Sequence, residues 1–187
     1  MKRTFIAIPV AVSSEFYNFL SLLKEQLKGE AINWVDPSNL HLTVKFLGDT
    51  PDHLIAPVAR LLGNTVSGFS QEQGWLRGLD YFSYKGNPSV LFARLEGLLL
   101  PEKIAAVLDA GLEELGFPME TRKFNAHLTL ARIKFQKDKR GFSRLTDQYK
   151  EREIQPVSLE KVVFFESLLF PDGPVYKPIT IVPLTSK

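Results

Sequence analysis

The chain carries His-Leu-Thr-Val at 41–44 and a near copy, His-Leu-Thr-Leu, at 127–130. In an extended strand residues two apart project from one face, so each histidine shares a face with its threonine and the apolar neighbours project from the other. Each tetrapeptide is therefore a strand with one chemical and one apolar face. The chain has only three histidines, and two of them open these tetrapeptides. A single His-x-Thr on a strand is a weak signal, because a half-buried histidine with a satisfied ring is the common case. Two copies in matching contexts point to one site shared by two meeting strands.

The elements around the copies also correspond. Residues 4–10 read as a strand, and Ser13 or Ser14 caps a helix with Phe16, Leu20, Leu23 and Leu27 at helical spacing. Residues 31–39 read as a loop and 40–47 as the first motif strand, closed by Gly48. Thr50-Pro51 offers a cap for a helix through Leu54, Val58 and Leu62, which Pro57 should kink or shift. Strands are expected over 75–82 and 89–95, with Lys85-Gly86-Asn87-Pro88 as their turn. Pro101 opens a helix through Ile104, Leu108 and Leu112, ended by Gly116, and 124–135 holds the second motif. A short helix from about Ser143 follows, then strands over 157–169 and 175–184 joined by Pro171-Asp172-Gly173-Pro174.

The two motif histidines stand 86 residues apart. Sliding the chain by that offset lays Phe5-Ile6-Ala7 on Leu91-Phe92-Ala93, the Phe16 helix near the Ile104 helix, and the strand at Leu76 on that at Val162. The expectation is one domain over 1–187 built of two pseudo-symmetric lobes, roughly 1–85 and 86–187, with the motif strands beside a pseudo-two-fold axis.

Composition bounds the chemistry. With 44% apolar and 24% charged residues the chain is an ordinary globular one, and a formal charge of +2 gives no global basic field. The absence of cysteine excludes disulfides, thiolate metal sites and a cysteine nucleophile. The basic start at Lys2-Arg3 leads only to a short apolar run that meets Ser13-Ser14-Glu15 without a cleavage site. No stretch approaches the roughly 20 apolar residues of a membrane span, so a cytoplasmic protein without a membrane partner is expected.

Histidine titrates near neutral pH, so two of them on opposite sides of one phosphate can divide the work. One takes a proton from the attacking oxygen while the other gives one to the leaving oxygen. Thr43 and Thr129, each on its histidine's face, offer hydroxyls to the non-bridging oxygens, and the scheme needs no metal or other cofactor. Lys45 falls on the His41 face by strict alternation, as a phosphate contact or a rim charge, and Phe46 on the apolar face. His53 lies in a helix start with no metal-ligand spacing around it and reads as a surface residue. A three-histidine metal site with His41 and His127 is formally possible but unsupported by spacing. Trp34, Phe124 and Tyr176 are candidates to stack on bases, and the basic segment from Lys134 to Arg152 to follow an RNA backbone. Arg94 and Glu96 interrupt an apolar strand without an evident role. The glycines read as turn residues, since no phosphate-cradling loop is present.

The blocks Phe5-Ile-Ala-Ile-Pro9, Trp34-Val-x-Pro-x-Asn-Leu-His-Leu-Thr-Val-Lys-Phe-Leu-Gly48 and Phe124-x-x-His-Leu-Thr-Leu-Ala-Arg132 resemble the 2H phosphoesterases, named for two such histidine motifs. They are most similar to the bacterial and archaeal RNA 2′,3′-cyclic phosphodiesterases, also called 2′-5′ RNA ligases. The resemblance implies an α+β, bilobal fold of mainly antiparallel sheet with outer helices and a central cleft. It further implies hydrolysis of RNA 2′,3′-cyclic phosphate ends, tRNA fragments among the candidates, to 2′-phosphomonoesters, with reversible 2′-5′ ligation as the same exchange with a ribose hydroxyl in place of water. By motif position His41 is then the proton donor to the 3′ oxygen, His127 the proton acceptor for water, and Thr43 and Thr129 phosphate ligands. Arg132 is also implied near the phosphate. Alternation sets it opposite His127, so that role requires a bulge or a strand end. The alternatives are a phosphodiesterase of small cyclic nucleotides or other 2′-linked diesters, and a non-catalytic module that binds RNA ends.

Overall fold

A computed structural model describes residues 1–171 and 173–186. The elements run β1 (Lys2–Pro9), α1 (Ser14–Gln26), β2 (Ala31–Trp34), a 3-10 turn at Pro37–Asn39, β3 (His41–Thr50) and α2 (Asp52–Val66). Then come β4 (Glu72–Tyr84), β5 (Asn87–Glu96), α3 (Leu100–Glu114), β6 (His127–Phe135), α4 (Lys139–Gln148), β7 (Glu153–Leu159), β8 (Lys161–Phe170) and β9 (Gly173–Pro183). Two antiparallel sheets result, in the orders β3-β1-β8-β9 and β2-β6-β5-β4-β7. The mixed α/β, two-sheet architecture is the expected one.

Local chemistry explains most element ends. Ser13 caps α1, its hydroxyl accepting from the Phe16 amide, and Phe16, Phe19, Leu20 and Leu23 form the buried stripe. The Glu72 carboxylate accepts from the Leu99 and Leu100 amides at 2.9 and 2.8 Å, capping α3 from outside the helix. Thr50 is not the cap of α2. It ends β3, its hydroxyl 2.7 Å from that of Thr4 in the buried interior, and α2 starts at Asp52 without a side-chain cap. Pro57 sits inside α2 and the helix continues to Val66, held by buried Val58, Leu62 and Val66. Apolar burial outweighs the lost hydrogen bond there.

Two expectations about strands are revised. Residues 31–34 of the expected loop form β2, an edge strand that pairs only with β6 and is too short to show a period. The single strand expected over 157–169 is two strands that serve different sheets, broken at Glu160, whose carbonyl accepts from the Leu184 amide at 2.8 Å. A continuous apolar run hides such a break, because both strands are buried. Of the expected turn at 171–174, Asp172 lies outside the described residues.

The boundary expected near 85/86 does not separate the two sheets. The first takes β1 and β3 from the first half and β8 and β9 from the second, while β2 and β4 join the second sheet. The 86-residue offset nonetheless maps β1, β3 and β4 onto β5, β6 and β8, so the order β3-β1-β8 answers to β6-β5-β4. The two halves exchange a strand. Helices cross as well: α3 packs against β3, and α1 against β7.

Both motif strands contain an extra residue at the same place. Ile6 pairs with Lys45 and Ala7 with Thr43, skipping Val44, while Leu91 pairs with Ala131 and Phe92 with Thr129, skipping Leu130. Each bulge flips the downstream alternation by one residue. Lys45 is thereby turned off the His41 face, against expectation, and buried on the far side of β3. Its ammonium lies 2.5 Å from the Asp109 carboxylate on α3 and donates to the Pro118 carbonyl at 2.9 Å. The two side chains are only 9% and 13% exposed. Asp109→Ala is therefore expected to strand a buried cation and cost about 3–5 kcal/mol, measured as a fall in the urea midpoint. Joining it to Lys45→Met should recover most of that loss, because no charge is then left unpaired.

Candidate active site

β3 and β6, the motif strands, lie in different sheets and touch each other, so the sheets meet along them. His41 opens β3 and His127 opens β6, both half-buried. Their settings are nearly identical. His41 Nδ1 stands 2.7 Å from the Asn39 carbonyl and His127 Nδ1 stands 2.8 Å from the Asn125 carbonyl. A carbonyl oxygen only accepts, so each Nδ1 carries the proton and each Nε2 faces the site, basic when the ring is neutral and acidic when it is charged. The sequence shows this second layer too, as Asn-x-His-Leu-Thr in both copies, although the contact uses the backbone and dictates no residue type.

Aromatic rings fix the two imidazoles. Phe5 and Tyr176 lie 5.0 and 5.2 Å from the His41 ring, the tyrosine edge-on. Phe82 and Phe92 lie 4.9 and 5.1 Å from that of His127. Burial pushes both histidines below the ordinary imidazole value, opposed in each case by the Nδ1 hydrogen bond. At His41 the charges of His127 and Arg132 push the same way. Tyr176 is raised by burial and lowered by Arg132, so it keeps its proton and lies near the guanidinium.

Thr43 and Thr129 remain on the faces of their histidines, upstream of the bulges, and pair with Ala7 and Phe92. That correspondence is 85 residues in β1 and β5, one less than the offset of the motifs. Among the described residues neither hydroxyl has a protein hydrogen-bond partner, which leaves both for a ligand. The bulge at Leu130 carries Arg132 onto the His127 face, the condition its phosphate role required. Its counterpart Phe46 is carried onto the His41 face rather than the apolar one, 52% exposed, with the Arg3 guanidinium 4.8 Å above its ring.

Other candidates fall elsewhere. Trp34 and Phe124 pack against the core. His53 sits in the first turn of α2, and among the described residues no three histidine or carboxylate side chains gather around a possible metal position. Arg94, paired with His127 across β5 and β6, is held by Glu96 at 3.0 Å and donates to the Lys150 carbonyl at 2.6 Å. It fills the space beside Gly78, where φ is +66° and a Cβ would come within 2.6 Å of the guanidinium. Its place is structural.

Comparison with known proteins gives the family. The profile of the LigT-like phosphoesterases matches residues 6–92 and 101–176. A Thermotoga maritima protein named RNA 2′,3′-cyclic phosphodiesterase is 33% identical over 177 residues, covering 94% of this chain and 91% of that protein. A Methanocaldococcus jannaschii protein of the same name is 27% identical, covering 95% and 98%. Among solved structures, a Thermus thermophilus protein superposes with a TM-score of 0.80 at 26% identity, covering 99% of each chain. Escherichia coli LigT, solved with 3′-AMP, shares the fold with a TM-score of 0.76 at 18% identity, covering 98% of each. Two histidine motif strands facing each other across two sheets, in a chain matched over nearly its whole length, make this protein a member of the LigT-like family of 2H phosphoesterases.

Proposed function

We propose that the chain is an RNA 2′,3′-cyclic phosphodiesterase that opens the cyclic phosphate to a 2′-phosphomonoester without a metal. The observation that carries this reading is the pair of imidazoles with mirrored Nδ1 contacts on two touching strands, with Thr43 on the face of His41 and Thr129 and Arg132 on that of His127. The named relatives support the choice of substrate.

In this mechanism Thr43, Thr129 and Arg132 hold the non-bridging oxygens of the phosphate, aimed at the charge that develops as phosphorus becomes five-coordinate. His127 Nε2 takes a proton from water as its oxygen attacks phosphorus in line. The P–O3′ bond breaks, and His41 Nε2–H gives its proton to the departing 3′ oxygen. The phosphate stays on O2′, and solvent exchange resets the two rings. A 5′-hydroxyl of a second strand in place of water would form a 2′-5′ linkage by the same steps, and the reverse is attack of the freed 3′-hydroxyl on that linkage, which expels the 5′ oxygen and restores the cyclic phosphate.

The direction of proton flow is that of the family's motif positions, and an asymmetry of charge supports it. Arg132 acts on His41, and no other charge acts comparably on His127. A cation beside an imidazolium makes it a stronger acid, which suits the donor role. Tyr176, edge-on to His41, adds a protonated hydroxyl on that side of the site.

The test is an RNA ending in a 2′,3′-cyclic phosphate, assayed with chelator present. The expected product is the 2′-phosphomonoester, lost in His41→Ala and in His127→Ala. Activity abolished by chelator would overturn the metal-free mechanism, and normal turnover in either variant would overturn the assignment of roles. Thr43→Val and Thr129→Val should each lower kcat/KM by roughly 10- to 150-fold, the weight of a hydrogen bond to a charged group of about 1.5–3 kcal/mol. The base must be neutral, so the rate climbs as pH rises through its depressed value. The acid must be charged, so the rate falls as pH rises through its own. Both lie below the ordinary imidazole value of about 6.5, so the kcat/KM bell should be centred below it. A bell centred above about pH 7 would contradict this environment.

A further inference from the structure

The cations of this protein fall into two populations. Lys2, Lys28, Lys45, Arg77, Arg94 and Arg122 each stand within 4 Å of a carboxylate. Among the described residues the remainder of β6 and the segment after it show no such pairing. Arg132, Lys134, Lys137, Lys139, Arg140 and Arg144 are all exposed there; Asp138 is the one carboxylate within this run, its Oδ1 accepting from the Gly141 amide, and the Glu30 carboxylate reaches it only to accept from the Lys137 and Asp138 amides. In a chain whose formal charge is only +2, that is a concentrated field.

Its placement is specific. The bulge that brings Arg132 onto the His127 face also leaves Lys134, two residues on, projecting from the same side of β6. Val90 pairs with Arg132, so the β4–β5 hairpin reaches past Lys134, and its tip bears Tyr84 and Lys85. Tyr84 is 67% exposed, and the Lys85 ammonium lies 5.3 Å over its ring. Lys139 Nζ donates to Asn87 Oδ1 at 2.7 Å and ties the basic segment to that tip. A continuous ridge therefore leads out of the site from Thr129 through Arg132 and Lys134 to Tyr84, Lys85 and Lys139. From Thr129 to Lys134 alone it spans roughly 16 Å, which is longer than one nucleotide.

We propose that this ridge binds the single-stranded RNA upstream of the cyclic phosphate, its lysines neutralising backbone phosphates and Tyr84 offering a face to a base. Exposed cations interleaved with a solvent-facing aromatic ring are the elements of a sequence-tolerant single-strand surface. The proposal rests on the cyclic-phosphate reading of the site and narrows its substrate to an oligoribonucleotide rather than a free cyclic nucleotide.

The experiment compares a 2′,3′-cyclic mononucleotide with an oligoribonucleotide ending in the same nucleotide, over a range of salt. The wild-type enzyme should favour the oligonucleotide, with log kcat/KM falling against log salt by about 0.7 for each phosphate neutralised and the mononucleotide much flatter. Lys134→Glu with Lys139→Glu should remove at least tenfold of the oligonucleotide's advantage and flatten its salt slope, leaving the mononucleotide rate unchanged. Tyr84→Ala should weaken the oligonucleotide alone, with its salt slope retained. Equal rates and slopes for the two substrates in the wild type, or equal losses on both in the charge variant, would overturn the ridge. Failure of the site reading looks different: neither substrate would be hydrolysed, or His41→Ala would hydrolyse the mononucleotide normally.

Discussion

The site depends on one extra residue in each motif strand. Without the bulges at Val44 and Leu130, strict alternation would place Lys45 beside His41 and send Arg132 to the far face. With them, each strand presents histidine and threonine before the bulge and a large functional side chain after it. The same shift buries Lys45 and Ala131 on the side that packs. A bulge also bends its strand, so the residues downstream are re-aimed toward the facing sheet rather than carried straight past it. One irregularity thus decides both what the core receives and what the ligand meets.

The strand exchange makes the two bulged strands interdependent. β3 is an edge of its sheet, next to β1, and the sheet is completed by β8 and β9 from the other end of the chain. β6 is flanked by β2 and β5, which come from either side of β3 in sequence. The Val35 amide donates to the Leu130 carbonyl at 2.9 Å, so the chain leaves the second bulge only six residues before it enters His41. On the opposite face Lys45 grips Asp109 and the Pro118 carbonyl, while the other Asp109 oxygen accepts from the Glu120 amide, steadying the segment that leads into His127. The two imidazoles are held in register by connections that pass between the motifs, not by either half alone.

Much of this was legible in the residues. The duplicated His-Leu-Thr, the helices with clear apolar periods and the strand class all follow from local pattern, and so does the correspondence at an offset of 86 residues. What was hidden depends on pairing partners distant in sequence. No local signal marks Val44 or Leu130 as unpaired, since a β-branched or aliphatic residue fits a regular strand equally well. Lys45 was misplaced for that reason alone, and Phe46 with it. The split at Glu160 and the short β2 were missed because an apolar run and a four-residue edge carry no period to read. The crossing of strands between halves is likewise invisible to an offset comparison, which reports equivalence and not adjacency.

Near-symmetry raises the question of how two alike histidines come to act differently. Their backbone anchors, at 2.7 and 2.8 Å, are nearly the same, and both are depressed by burial, so neither feature distinguishes them. The difference enters where the duplicated pattern fails. After the bulge β6 carries a guanidinium and β3 carries a phenyl ring, so the two strands themselves differ in charge at this position. Arg132 grows from the strand of His127 yet acts on His41 and Tyr176, across the junction of the sheets. In the proposed mechanism a phosphate bound to this guanidinium lies near His41, and its negative charge offsets the lowering that Arg132 adds to that of burial. That would favour charging His41, the proposed proton donor, over His127. On this reading the break in symmetry and the loading of the acid are one event, set by a single side chain that a one-residue bulge brings round.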